Sequence, residues 1–176
     1  HTVEGGAVVL HDAAADERLR LLRSFGHRND DHISLGMNAK MSELHAAMGM
    51  AVLPHVERII EQRARICDAY DQALADVVVK PGLPAGVSYN YAYHPVQFRD
   101  EAEREHVLAA LASQGIHCRR YFYPSLDELP YVVGRTCPHS RDAALRTLCL
   151  PLYPDLTPQD TDRITRALLA ALDEYR

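Results

Sequence analysis

The chain has 176 residues, a length that suits one ordinary domain or one domain plus part of a second. It is 47% hydrophobic and 24% charged, close to the average soluble globular protein, and this composition excludes a disordered or fibrous chain. The net charge of −5 argues against a general nucleic-acid binder, because such proteins carry a basic face.

Three features of the sequence bear on the protein's compartment. No apolar run approaches the roughly 20 residues that span a bilayer, so we expect no membrane-spanning helix. The opening residues carry no basic stretch before an apolar one, so we expect no signal peptide; they resemble the middle of a domain, as in a fragment. The four cysteines are widely spaced, without a CxxC pair, and predict reduced thiols in a cytoplasmic protein.

Helical spacing dominates the first part of the chain. Asp12 is the predicted N-cap of the first helix, and Gly26 its predicted C-terminal stop. The predicted order is a buried strand over 4–10, a helix over 13–25, a polar loop over 26–34, a helix from 41 and a long helix from Pro54 to about 74.

The character of the sequence changes at 80–86 (KPGLPAG), where two prolines and two glycines indicate a linker or turn. The remainder predicts three strands that alternate with three helices, hence a small α/β layer. The predicted elements are a strand over 89–98, a helix from Asp100 to 113, an extended segment over 116–123, a helix over 140–147 capped by Ser140, an extended segment over 148–153 and a final helix from Thr157 to about 175.

Histidine and cysteine are common in the sequence, so a metal site is one chemistry to consider. The local cluster is His117, Cys118, Cys137 and His139. Adjacent residues of an extended segment point to opposite faces, so His117 and Cys118 do not suit one tetrahedral site. We therefore expect no metal site.

Nucleophile and phosphate-loop signatures are also missing from the sequence. It contains no GxSxG motif, and its cysteines lie in no recognisable catalytic signature. The Gly5-Gly6 pair matches neither common phosphate-binding pattern and predicts only a tight turn or a close backbone approach.

Each of two further segments has two possible interpretations. In 36–44 (GMNAKMSEL), a glycine and an asparagine precede a helix, which predicts either a helix N-terminus facing an anion or a simple capping turn. In 119–123 (RRYFY), two guanidinium groups lie beside two phenols, which suits a phosphate- or diphosphate-bearing ligand. The alternative for this second segment is a half-exposed, tyrosine-rich strand.

These segments, in this order, resemble the C-terminal half of the DegT/StrS nucleotide-sugar aminotransferases. Residues 1–6 (HTVEGG) resemble the family's Asn-Thr-x-Glu-Gly-Gly segment. Residues 36–49 (GMNAKMSELHAAMG) resemble Gly-x-Asn-x-Arg-Met-Ser-Glu-Leu-x-Ala-Ala-x-Gly, with Lys40 in place of the arginine. Residues 121–124 (YFYP) resemble the subgroup that aminates dTDP-linked keto-deoxysugars. The resemblance covers nearly the whole chain.

The resemblance implies an α/β fold of the aspartate-aminotransferase type (fold-type I) and the cofactor pyridoxal 5'-phosphate. The implied division is the end of the large cofactor-binding domain, with a long interdomain helix, over 1–79, and a small α/β domain over 80–176. The Schiff-base lysine of the family would lie about three positions before His1, so this chain holds no catalytic residue and is expected to be inactive alone. Neither Lys40 nor Lys80 matches that position.

The resemblance also implies where cofactor and substrate would bind. Asn38 matches the asparagine that reaches the cofactor phosphate of the other subunit, so we expect a homodimer with shared active sites. Arg28 would lie near the mouth of the same active site, as a substrate-binding residue. The substrate-binding residues implied in the small domain are Arg119, Arg120, Tyr121 and Tyr123.

The activity implied is transfer of an amino group from glutamate to a nucleotide-linked keto-deoxysugar by the whole protein, whose missing N-terminal half would be a partner of this chain. Some family members carry histidine in place of the lysine and act as sugar dehydratases, and the deciding position is outside the chain. A third hypothesis, from another class, is a non-catalytic dimerisation or ligand-binding module.

Overall fold

The computed structural model describes residues 2–176 as six helices, four short strands and two 3₁₀ turns. The helices are α1 Ala13–Leu22, α2 Glu43–Val52, α3 Val56–Leu74, α4 Glu101–Ser113, α5 Pro138–Arg146 and α6 Pro158–Tyr175. The strands are β1 His27–Arg28, β2 Asp31–His32, β3 His94–Gln97 and β4 Thr147–Leu150, and the 3₁₀ turns are Leu53–His55 and Leu126–Glu128. No helix among these residues is long and apolar enough to cross a membrane.

The chain divides into two compact units, and the boundary falls between Glu57 and Arg58. This boundary describes how the residues cluster in space. The domain boundary expected near residue 80 concerns the division that the family resemblance implies, and it stays a prediction.

The first unit is built around the end of α1. The Asp12 side chain caps this helix by accepting from the Ala14 amide at 2.9 Å, as predicted. The helix ends at Leu22, and the amide of Gly26 returns to the Leu21 carbonyl at 2.8 Å with a φ of +74°. Phe25 also has a positive φ, of 61°, so two successive left-handed residues close this end of the helix, and glycine adopts that conformation without steric cost.

Two predictions for the first unit are wrong. Residues 4–10 form no strand and are mostly exposed, because a strand needs a neighbour and no strand within 2–176 pairs with them. The polar segment 26–34 is not a plain loop: β1 and β2 form a minimal antiparallel hairpin, with His27 opposite His32. Both outcomes depend on pairing, which hydrophobic periodicity does not report.

The second unit packs helices on a small antiparallel sheet. Strands β3 and β4 pair along their full length, from His94 opposite Leu150 to Gln97 opposite Thr147. Single bridges extend the sheet on both sides, from Val79 to Gln97 and from Arg119 to Cys149. This second bridge fixes the backbone of Arg119 at the edge of the sheet.

The core of the second unit lies between that sheet and helices α3, α4 and α6. Its fully buried members include Tyr70, Val107, Leu148 and Leu168, each of which is 0% exposed. Burial of such side chains contributes roughly 1.5–3 kcal/mol each. The core therefore gives the sheet and its flanking loops a rigid support.

Three predictions for the second unit need correction. The strand expected over 89–98 is confined to β3, and the segment 116–123 contributes only the bridge at Arg119, because few of its backbone groups find a partner strand. Ser140 does not cap α5, which begins two residues earlier at Pro138; its hydroxyl instead accepts from Ser125 at 2.7 Å.

All four cysteines are free. Burial raises the pKa of Cys67 to about 11 and that of Cys118 to about 12. Burial also raises the pKa of Cys149, an effect that nearby Arg119 partly offsets. Cys137, in contrast, is exposed.

Candidate functional site

The backbone around Asn38 is held by hydrogen bonds to the end of α1. The Met37 amide donates to the Leu22 carbonyl at 2.7 Å, and the Ala39 amide donates to the Arg23 carbonyl at 2.9 Å. The Phe25 amide in turn donates to the Met37 carbonyl at 3.1 Å. Bonds on both sides of Asn38 fix the direction in which its side chain leaves the backbone.

Two glycines make this crossing possible. A Cβ on Gly36 would lie 2.2 Å from the Gly26 nitrogen, and a Cβ on Gly26 would lie 1.8 Å from the Ser34 carbonyl oxygen. Real Cβ atoms do not approach backbone atoms this closely, so both positions require glycine. Gly36, the first residue of the 36–44 segment, is therefore required by this close approach of the backbone.

The Asn38 carboxamide is exposed and makes no hydrogen bond with the described residues. Its amide group keeps both N–H donors for an external acceptor. Downstream, the Ser42 hydroxyl caps α2 by accepting from the His45 amide at 3.3 Å, so the capping interpretation holds for the helix itself. The available donor of this segment is thus the side chain of Asn38, not the helix N-terminus.

Two other polar groups of the first unit already have partners. Arg28, in the β1–β2 hairpin, forms an exposed ion pair with Glu17 of α1. The Lys40 ammonium lies 4.6 Å from the centroid of the Phe25 ring, as a cation–π contact.

In the second unit, the structure separates the two arginines that the sequence places side by side. The Arg120 guanidinium lies 3.7 Å from Glu101 and 3.4 Å from Glu105, and it stacks 3.4 Å from the centroid of Tyr123. Buried Arg104 shares both carboxylates, at 3.1 Å and 2.6 Å. Arg120 and Tyr123 therefore belong to an ion-pair network on α4.

Tyr121 belongs to an aromatic group beside that network. Its ring stacks on Phe122 with centroids 3.8 Å apart and meets the ring of Tyr93 at 4.7 Å. A hydrogen bond between the two phenols raises the pKa of Tyr93. The Tyr93 phenol therefore offers a hydroxyl group rather than a charge.

Arg119 points to a different place, a cavity of about 410 Å³. It shares the lining with Arg63 of α3, His117, Tyr93 and Tyr153. The other lining residues are small or apolar: Ala92, Cys149, Leu150, Pro151 and Leu152. No carboxylate is among the residues that line this cavity.

Sequence reasoning missed Arg63, His117, Tyr93 and Tyr153 as members of one site. Arg63 lies on a helix rich in charged residues, where it cannot be told from a solvated arginine. The phenols come from two loops far apart in sequence. The sequence signal for these loops is the tyrosine and proline content next to each strand. This content does not tell which segments lie together in the fold.

Among the residues described, no group of three or more histidine, cysteine, aspartate or glutamate side chains is placed to hold a metal ion. The four residues of the 117–139 cluster thus form no such group.

Comparison with known proteins places this geometry in a family. The family model for the DegT/DnrJ/EryC1/StrS aminotransferases matches residues 1–169. The dTDP-4-amino-4,6-dideoxy-D-glucose transaminase of Escherichia coli is 32% identical over 181 residues, which cover 96% of this chain and 48% of that protein.

Solved structures agree with this. DesI, crystallised in the presence of its TDP-sugar product, is 34% identical with a TM-score of 0.86, covering 98% of this chain and 47% of DesI. The putative sugar aminotransferase Spr1654 from Streptococcus pneumoniae, in its PMP-form, has a TM-score of 0.84. Its identity is 17% over 97% of this chain and 48% of that one, so it shows the fold alone.

The chain spans about half the length of the relatives it matches. The predicted α/β fold of a DegT-type aminotransferase is confirmed by these structural matches. The family model and the transaminase relative together establish that this chain belongs to the DegT/DnrJ/EryC1/StrS aminotransferase family.

Proposed function

We propose that the chain forms the C-terminal half of a pyridoxal-phosphate-dependent aminotransferase, which transfers an amino group from glutamate to a nucleotide-linked keto-deoxysugar. The observation that carries the proposal is the Asn38 carboxamide, which leaves a hydrogen-bonded backbone and has no partner among the described residues, in a segment that matches the family's asparagine motif. Relatives named for sugar-nucleotide transamination support the substrate class.

The residues of the first unit fit one end of the cofactor. A carboxamide donor beside a lysine suits a phosphate group, which accepts hydrogen bonds from neutral and charged donors alike. When bound, pyridoxal phosphate would supply the electron sink that lets an amino group leave one carbon and join another. In this proposal Asn38 holds and orients the phosphate across a homodimer interface, and Arg28 lies near the same mouth.

Neither lysine of the chain matches the position of the family's cofactor-anchoring lysine. Lys40 lies over the Phe25 ring, and Lys80 forms an ion pair with Asp71. This supports the placement of the anchoring lysine in the other half of the protein, together with the proton transfer that such an amine performs. The chain alone would then be inactive.

The second unit would enclose the sugar nucleotide through the segment 119–123. Arg119 and the Tyr93–Tyr121 pair present donors to a ligand. Arg120 and Tyr123 would shape the same wall through the α4 ion-pair network rather than by direct charge.

The test compares the protein as its gene encodes it with an Asn38→Ala variant. We expect the intact protein to show a cofactor absorption band that shifts on adding glutamate. The variant should bind the cofactor about 10- to 100-fold more weakly, the value of a hydrogen bond to a charged group. Asn90→Ala, which removes a carboxamide elsewhere, is the control and should retain the cofactor.

Two results would contradict the proposal. One is an intact protein that shows no absorption band even after the cofactor is added, which would favour a non-catalytic module. The other is unchanged cofactor affinity in the Asn38→Ala variant, which would remove the phosphate role of that residue.

A further inference from the structure

A second cavity of the second unit, about 440 Å³ in volume, lies beside the start of β3. It shares no lining residue with the cavity at Arg119. Most of its wall is aliphatic, from Leu74, Ala75, Val78, Val79 and Val96, and the polar remainder is Tyr70, Asp71, Lys80 and His94. The volume lies in the usual range of small-molecule sites, so the cavity suits a ligand that is mostly hydrocarbon with a small polar end.

His94 is a buried polar group of this wall that lacks a hydrogen-bond partner. Its side chain is 2% exposed, and it makes no hydrogen bond with the residues that the structure describes. The Asp71 carboxylate lies 3.6 Å from its Nε2 atom, beyond hydrogen-bonding distance. The adjacent Tyr70 hydroxyl donates instead to the Pro151 carbonyl at 3.0 Å. A buried imidazole is costly while its nitrogens are unpaired, so a ligand that bonds to one of them gains stability here.

Asp71 and Lys80 add one negative and one positive charge to the lining of the cavity. They form an ion pair with each other, and their side chains are 33% and 40% exposed. A pair this open to water contributes little to stability, so a ligand can separate the two charges at small cost. Such a ligand must offer both signs, an ammonium group to Asp71 and an anionic group to Lys80, because otherwise one of the two charges would lose its partner.

We propose that this cavity binds an aliphatic α-amino acid, with its ammonium group at Asp71, its carboxylate at Lys80 and its hydrocarbon side chain against the aliphatic wall. The His94 imidazole, with one N–H donor and one acceptor, can bond to either polar group of such a ligand. No other charged side chain is among the described residues that line the cavity, so a ligand with a charged side chain would leave that charge unpaired. The site is separate from the residues proposed for cofactor and substrate, and it does not rest on the proposed function.

Calorimetric titration of the protein with L-leucine tests the site directly. We expect saturable binding of one leucine per chain, weakened about tenfold or more by Asp71→Asn and by Lys80→Gln, because each removes a charge-assisted contact. Asp68→Asn is the matched control, since Asp68 lies on the same helix as Asp71 and carries the same charge but does not line this cavity. The affinity of this control for leucine should match that of the wild type. Equal weakening in all three variants would overturn the proposal.

A comparison of ligands on the unmodified protein covers the case in which a variant fails to fold. Two analogues of leucine, 4-methylpentanoate and 3-methylbutylamine, lack the amino group and the carboxylate respectively. Each should bind about tenfold more weakly than leucine or worse, because each leaves Asp71 or Lys80 without its contact. An analogue that binds as tightly as leucine, or no binding at millimolar leucine, would overturn the proposal.

Glutamate distinguishes this cavity from the proposed active site. The second carboxylate of glutamate would face the aliphatic wall, so millimolar glutamate should leave the affinity for leucine unchanged. Loss of leucine binding in its presence would overturn the proposal, because leucine would then occupy the site of the amino donor. Leucine binding to a protein without transaminase activity would refute the proposed function and leave the amino-acid site standing.

Discussion

At the scale of single residues, His94 shows how burial sets a proton equilibrium. Its side chain is 2% exposed, beside the ring of Tyr70 at 5.1 Å, and its Nε2 atom lies 3.6 Å from an Asp71 carboxylate oxygen. Asp71 is already paired with Lys80, so its charge gives the imidazole little support. Burial lowers the pKa of His94 from 6.5 to about 4.

This shift predicts a loss of stability on acidification. The unfolded chain takes up a proton near pH 6.5, while the folded chain does so only near pH 4, so the free energy of unfolding falls as the pH drops between these values. The loss is at most about 3 kcal/mol, from 1.36 kcal/mol per unit of pKa. Denaturant unfolding at pH 7 and pH 5 measures the part of this loss that falls above pH 5, about 2 kcal/mol.

A His94→Gln variant should lose most of that pH dependence, because glutamine does not titrate. His139→Gln, at an exposed histidine, is the control and should keep it. The lowered pKa values of Asp142 and Asp160 do not interfere, since these carboxyl groups titrate below 3.8. An unchanged slope in His94→Gln would contradict the account.

At the scale of elements, α6 has a complete capping box. The Thr157 hydroxyl accepts from the Asp160 amide at 3.1 Å, and the Asp160 carboxylate accepts from the Thr157 amide at 3.3 Å. Pro158 occupies the first turn, where its missing N–H costs nothing. The same helix buries much of its inner face in the core. Loss of the cap at its first turn should therefore lower the stability of the whole unit.

Thr157→Ala should therefore lower the free energy of unfolding by about 1 kcal/mol, with about 0.5–2 kcal/mol as the range for lost caps. Thr157→Ser keeps the hydroxyl and should retain nearly all of the stability. Chemical denaturation of the three proteins gives the comparison. A serine variant as unstable as the alanine variant would assign the effect to the lost methyl group instead of the cap.

The helices were predictable because their signals are local. Asp12, Asp100 and Thr157 each cap the helix that the sequence assigned to them, and the cap and its helix are only a few residues apart. Strands depend on a partner elsewhere in the chain. The predicted strand over 4–10 finds none among the described residues, and the one over 116–123 finds one bridge.

The candidate site follows the same division. Asn38 and Arg119 were predicted from short segments that resemble a family, and neither side chain has a hydrogen-bond or ion-pair partner among residues 2–176. The cavity beside Arg119 joins Arg63 to loops 30 to 90 residues further along the chain, and only packing of the core brings them together. Arg120 was predicted to share the role of Arg119, but its ion pairs with α4 set it apart.

At the scale of the whole molecule, burial is unequal between the two units. Of the described residues up to Glu57, only Gly26 is buried, whereas the second unit contains the apolar core. Large side chains of the first unit are exposed, among them Leu35 at 92% and Leu44 at 83%. Apolar surface of this kind is typical of a region that another protein surface covers.

Amide hydrogen exchange should reveal this inequality in the isolated chain. Amides of α1 and α2 should exchange faster than those of α4 and α6, because few apolar contacts oppose local opening in the first unit. Exchange followed by mass spectrometry resolves the peptides. Equal protection of α2 and α4 at low protein concentration would contradict the expectation.

The unequal burial of the cysteines has a practical consequence for studying the protein in solution. The thiolate is the reactive form, and the raised pKa values of Cys67, Cys118 and Cys149 leave almost none of it at neutral pH. Cys137 is exposed, so a maleimide dye should attach there first. The natural chain thus provides one preferred labelling position, and a Cys137→Ser variant, expected to label far more slowly, checks it.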